Sequence, residues 1–188
     1  MTQAHGWLLA FSTLVAGAAT AGGQSASSAT PSSGPVIHSA GAALTVEAPT
    51  FQVPAGHQFK TVFIIDVGGN DTTRSNTKLS TMARFYNLHA LNGYPASRLQ
   101  LAAVVFGNGW QSLLTDTAFS ARFGTARNPS RSLVLELLQQ GAQLVLCGQT
   151  AGAAHIRRDE LLPGVTVAIS AMTALNVLQT QGYSLNPW

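Results

Sequence analysis

The sequence predicts an α/β fold built on a mainly parallel sheet. Two observations carry that prediction. Continuous apolar, β-branched runs alternate with segments of helical periodicity from Lys60 to the end of the chain. Each apolar run stops at a glycine- or serine-containing turn, as a strand does when both its faces are covered by helices. Such βαβ units have right-handed crossovers, which bring every strand's carboxyl end to one edge of the sheet.

The elements follow in order. Thr61-Val62-Phe63-Ile64-Ile65-Asp66-Val67 reads as the first strand, ended by Gly68-Gly69-Asn70-Asp71. Leu79, Met82, Ala83, Tyr86 and Ala90 then recur at helical spacing, and Asn92-Gly93 closes that helix. Leu99 to Phe106 is the second strand, stopped by Gly107-Asn108-Gly109, with a short helix around Ser112 to Phe123. Asn128 is read as the N-cap and Pro129 as the first residue of the next helix, whose apolar face is Leu133, Val134, Leu137 and Leu138. Gly141 ends it. Leu144 to Cys147 is the third strand, and Arg157 to Leu161 makes about one helical turn. Val165 to Ile169 is the fourth strand. Ala171, Ala174, Leu175 and Leu178 line a last helix that Gly182 terminates.

The amino-terminal part has a different character. Residues 1–21 read as a secretory signal: an apolar run from Trp7 to Ala19 is followed by small residues that offer an A-x-A-type cleavage site at Ala19-Thr20-Ala21. The run is shorter than the about 20 apolar residues a membrane span needs, so no stable span is expected after cleavage. The basic residue usual before such a run is missing between Met1 and Gly6. Residues 22–58 read as a Gly/Ser-rich flexible leader continued by an extended arm, and residues 59–188 as one domain. The expected location is periplasmic or secreted.

Composition narrows the function. The net charge is +3, but the basic residues are scattered and no aromatic-interleaved stripe occurs, so nucleic acid is not an expected partner. Only 9 % of residues are charged, against about a quarter in an average soluble protein. Buried subunit interfaces would account for that deficit, so a homo-oligomer is expected. Phe119, Phe123 and the segment Tyr183 to Trp188 are the apolar stretches read as lying beyond the core. The chain has no G-x-G-x-x-G, no P-loop, no G-x-S-x-G and no metal-ligand spacing among its histidines. No cofactor and no metal are expected.

What remains is one thiol. Cys147 is the only cysteine, at the end of an apolar run and before Gly148-Gln149-Thr150. In an open α/β sheet the carboxyl ends of the strands are where ligands bind. A free cysteine is also among the most commonly buried residues, so an inert packed thiol is the competing reading. The candidate pocket around it comprises Asp66, Gly68, Gly69, Asn70, Gly107, Asn108, Gly148 and Gln149, with His155, Arg157 and Arg158 as groups able to favour a thiolate. Asp66 is as well explained by hydrogen bonds to the amides of its own loop. Arg157-Arg158 is as well explained as a solvated face.

Several stretches together resemble the DsrE/DsrF-like (YchN-like) sulfur-relay family, in particular its exported single-domain branch. They are Phe63-Ile64-Ile65-Asp66-Val67 with Ala83-Arg84-Phe85-Tyr86-Asn87; Asn128-Pro129 and its helix; Leu146-Cys147-Gly148-Gln149; Leu161-Leu162-Pro163-Gly164-Val165; and Ala174-Leu175 through Gly182-Tyr183. The resemblance spans about residues 60 to 185. It implies a three-layer α/β/α fold, trimeric or hexameric assembly, and a persulfide carried on the matching cysteine, Cys147. A sulfur donor or acceptor protein is the partner it implies, and a sulfurtransferase-like carrier the activity. The alternative function is a non-catalytic oligomeric module, structural or binding a small molecule, in which Cys147 is merely packed.

Overall fold

A computed structural model describes residues 1–2, 30–68, 71–125 and 127–188 of the chain. The signal-like segment and the Gly/Ser-rich start of the leader fall almost wholly outside the described residues, as do Gly69 and Asn70. Among the described residues no helix is long and apolar enough to cross a membrane.

Five parallel strands form one sheet: β1 (Phe59–Ile65), β2 (Leu99–Val105), β3 (Gln143–Cys147), β4 (Thr166–Ala168) and β5 (Ser184–Asn186), in the spatial order β4-β3-β2-β1-β5. The helices are α1 (Thr77–Leu91), α2 (Asp116–Phe123), α3 (Arg131–Gln139), α4 (Gly148–Ala153) and α5 (Ala171–Thr180). The expected α/β class with a mainly parallel sheet is what the chain adopts.

The period-2 alternation of the strands divides the core. Phe63, Ile65, Leu101, Ala103, Val105, Leu144 and Leu146 face α1 and α3, where they meet Leu79, Met82, Tyr86, Leu133, Val134 and Leu137. Val62, Ala102 and Val104 face the other way and meet Ala174 and Leu178 of α5, with Tyr183. The sheet is thus the middle of three layers, and α5 is the helix that covers its second face.

Three local expectations are corrected. The helix placed from Pro129 begins at Arg131, and Asn128 is not its cap. Asn128 is buried; its Oδ1 accepts from the Ser130 N–H at 2.9 Å and its Nδ2 donates to Ser112 O and Leu114 O, so it ties a turn to the preceding segment. The segment from Ser112 to Phe123 is two elements: a 3-10 stretch ending at Leu113, then α2 capped by Thr115, whose side chain accepts from the Ala118 N–H. Phe119 and Tyr183 are buried and Phe123 packs against the core, so they do not form an outer apolar surface. The large apolar side chains that stand exposed include Ile169, Met172, Val177, Leu185 and Trp188.

The final short strand is an addition. Ser184–Asn186 pairs with Thr61–Phe63 beside β1. Three residues are too few to show periodicity, so only the pairing reveals it.

The arm from Ser32 to Val46 is held against α1. Ile37 is fully buried in the core, and the fully buried Asn87 of α1 binds the arm's backbone at both its amides and its carbonyls. Asn92, the C-cap of α1, accepts from the Val46 N–H at 2.8 Å, and Glu136 of α3 accepts from the His38 N–H at 2.6 Å.

Candidate functional site

The carboxyl edge of the sheet gathers the loops after β1, β2, β3 and β4. Between β3 and β4 the connections part. The chain leaving β3 enters α4, whose Ala151 belongs to the α1/α3 core, whereas the chain leaving β4 enters α5 on the opposite face. Such a divergence is the topological switch point at which open α/β sheets form their ligand crevices. Cys147 is the last residue of β3, paired in register with Ala168.

Alternation with Leu144 and Leu146 turns Cys147 toward the α5 layer, and it is 6 % exposed. Burial alone would push its thiol up, but the thiol is held below its ordinary value. The groups responsible are the Thr150 N–H and hydroxyl and the N–H groups of Ala171 and Gln149. Gln149 and Thr150 lie in the first turn of α4, and Ala171 opens α5. None closes a regular cap hydrogen bond on the sulfur, so these are donors that a thiolate would draw in rather than bonds already made. The sulfur therefore faces the positive ends of two helices.

Gly148 makes this convergence possible. A Cβ there would stand 2.4 Å from Ala168 O and 3.1 Å from Ile169 O, so the start of α4 and the end of β4 touch backbone to backbone. Gln149 Nε2 adds a hydrogen bond to Ile169 O at 3.2 Å. Ser170, the N-cap of α5, accepts from the Thr173 N–H.

The other expected site residues form separate groups. Asp66 pairs with Lys78 of α1, Oδ1 to Nζ at 2.7 Å, and this ion pair holds its carboxyl below the usual carboxylate range. Its backbone O accepts from the Asn108 N–H at 3.0 Å. Gly107 adopts φ +50, and a Cβ there would meet Asp66 O at 2.4 Å, while a Cβ on Gly68 would meet Asn108 O at 2.3 Å. Asp66, Gly68, Gly107 and Asn108 thus lock the loops after β1 and β2 together, on the side of β3 away from β4. Gly69 and Asn70 fall outside the described residues.

His155, Arg157 and Arg158 follow α4 and are exposed. Arg157 Nε pairs with Asp159 at 3.1 Å, and its N–H donates to Glu160 Oε2 at 2.7 Å. None of the three is among the groups acting on Cys147. The structure brings Gly148 and Gln149 to the thiol and adds Thr150 and Ala171. The sequence reads Gly148-Gln149-Thr150 as a loop; the structure makes it the start of α4, while Ala171 is already read as lining the last helix. Among the described residues no cluster of three His, Cys, Asp or Glu side chains offers a metal site.

The sequence model of the DsrE/DsrF-like family matches residues 60–187, the whole sheet and its helices except the first residue of β1. The chain belongs to the DsrE/DsrF-like family. Membership points to a sulfur-relay type of role, with Cys147 as its one thiol. Among solved structures, a protein of unknown function from Methanobacterium thermoautotrophicum, MTH1491, is similar at 24 % identity with a TM-score of 0.50. The alignment covers 70 % of this chain and 100 % of that one. At this identity the likeness concerns the fold alone. No curated protein matches. The family match starts after the arm, yet the arm's Ile37 is part of the core.

Proposed function

We propose that this protein carries sulfur as a persulfide on Cys147 in the cell envelope. The observation that supports it best is the sulfur at the β3/β4 switch point, with amides from the first turns of α4 and α5 around it and its pKa lowered. The step needs no redox partner. The Cys147 thiolate attacks the outer sulfur of a persulfide or hydropolysulfide donor, R–S–SH. The donor S–S bond breaks, its electron pair leaves on R–S⁻, and Cys147 holds S–SH with the proton retained. An acceptor thiolate takes the outer sulfur by the same exchange. Thr150, Gln149 and Ala171 favour the anionic sulfur at both stages. Donor and acceptor are thiol proteins or small thiols of an exported compartment.

Intact mass spectrometry after polysulfide treatment tests this. Wild-type protein gains about 32 Da per sulfur atom, reversed by dithiothreitol, as expected of a persulfide. Cys147→Ser gains none. Absence of an adduct on folded wild-type protein, or an equal adduct on the serine variant, overturns the proposal. The burial of Cys147 favours the packed-thiol reading; alkylation only after unfolding would establish it.

A homo-oligomer, trimer or hexamer, belongs to the same proposal. Ile169 and Met172 are 75 % and 80 % exposed beside the edge strand β4, and Val177 of α5 is also exposed. Light scattering of the mature chain at tens of micromolar is expected to show an assembly, which Met172→Asp weakens. A monomeric wild type counts against it.

A further inference from the structure

The helix that presents Gln149 and Thr150 to the thiol is short. Gly148–Ala153 is six residues, far below the length at which a helix holds itself in water. Its position is set by what grips its ends. At the amino end it is wedged by Gly148 against Ala168 O. At the carboxyl end one side chain does the holding. Arg122, on the last turn of α2, donates from Nη1 to Ala154 O at 3.0 Å and from Nη2 to His155 O at 2.9 Å. Ala154 is the C-cap of α4, and His155 follows it in the left-handed region at φ +51, which aims both carbonyls at the guanidinium. A cation bound to the last carbonyls is the favoured complement of a helix carboxyl end.

Arg122 is itself fixed. Its Nη2 meets both oxygens of Glu160 at 3.1 Å, and its guanidinium carbon lies 5.4 Å from the centre of the Trp110 ring. Nε is buried without a hydrogen-bond partner among the described residues, so the group is desolvated on that side. Glu160 is anchored in turn: its backbone O accepts from the Thr115 N–H at 2.8 Å, at the cap of α2. The fork thus ties the carboxyl end of α4 to α2 through a partly buried ion pair.

We propose that Arg122 is a positioning residue for Cys147: through the α4 carbonyls Ala154 and His155 it fixes where the Gln149 and Thr150 amides meet the sulfur, without touching the sulfur itself. This rests on the carrier reading above and extends it to how the thiol's reactivity is set. Arg122 stands on α2, a different element from β3 and α4, and the sequence offers no sign of the link.

The test is the pH profile of Cys147 alkylation in folded protein, run beside polysulfide loading. Arg122→Ala is expected to move the midpoint upward and to slow alkylation at neutral pH about three- to tenfold, the scale of a helix end acting on a neighbouring charge. Asn87→Ala, which loosens the arm on α1 and is not among the groups acting on Cys147, leaves the midpoint where it was. Arg122→Lys, which can hold one carbonyl but not the fork, falls between wild type and alanine, and serves alone if the alanine variant does not fold. An unmoved midpoint in folded Arg122→Ala overturns the proposal, or in Arg122→Lys where only that variant folds. An equal shift in Asn87→Ala also overturns it, since the effect would then be general loosening. Wild-type protein that takes up no sulfur defeats the carrier reading whatever Arg122 does; wild-type loading with an unmoved midpoint in the variant defeats the role of Arg122 alone.

Discussion

Asn87→Ala is expected to destabilise the protein by about 3–4 kcal/mol, because it strands several buried backbone groups at once. Oδ1 of Asn87 accepts from the Val36 and Ile37 N–H groups at 3.1 and 2.8 Å, and Nδ2 donates to Ile37 O, Ala40 O and Gly41 O at 2.8, 3.1 and 3.0 Å. The side chain is fully buried, so water cannot replace it without opening the arm. Loss of the arm's grip also exposes Ile37, which packs with the α1/α3 core. Urea unfolding measures the total, and hydrogen exchange at the Val36 and Ile37 amides locates it. Asn87→Asp is the sharper variant. It keeps the shape but turns a donor into an oxygen facing three carbonyls, so the new carboxyl must stay protonated in the folded state. A folded pKa above the unfolded value means stability is retained at low pH and lost as pH rises through and beyond about 4. A loss under about 1 kcal/mol in Asn87→Ala would show that the arm rests on the domain without being part of it.

The role of Asn87 was not part of the sequence reading, although its position carried a signal. It stands four residues after Ala83 and eight after Leu79, on the buried stripe of α1, where a polar side chain must find partners. What its partners are could not be read, because the arm has no periodicity of its own. The first four strands were legible as unbroken apolar runs, β1, β2 and β3 because they lie inside the sheet with both faces covered. β5 was not, since three residues at an edge carry no such signature. The thiol's place at a strand end followed from Leu144-Val145-Leu146-Cys147-Gly148. The groups around it did not: His155, Arg157 and Arg158 are near Cys147 in sequence, but α4 carries them away along its axis. The amide of Ala171, distant in sequence, arrives through β4 pairing. Backbone donors have no residue type to announce them, so a search by side-chain chemistry found the thiol and missed most of its environment.

Gly148→Ala should disturb both the fold and the thiol, for one geometric reason. The added methyl would stand 2.4 Å from Ala168 O and 3.1 Å from Ile169 O. The nearest atoms are backbone, so no rotamer change relieves the overlap. Either α4 withdraws or β4 moves out. β4 is three residues long at the sheet's edge and pairs only with β3, so it is the part that yields. Its displacement carries Ser170 and Ala171 with it, taking one of the donors from Cys147 while α4 keeps the others. Overpacking of this kind costs about 1–3 kcal/mol. The Cys147 alkylation midpoint is expected to rise and polysulfide loading at neutral pH to fall several-fold. Gly152→Ala is the matched comparison. It lies in the same helix with open space around its Cβ, so it should be neutral or add up to about 1 kcal/mol through helix propensity. Wild-type stability and thiol reactivity in Gly148→Ala would mean that the contact between β4 and α4 does not set the geometry at the sulfur. A loss in Gly148→Ala alone, with Gly152→Ala unchanged, assigns the effect to that contact and not to the glycine content of α4.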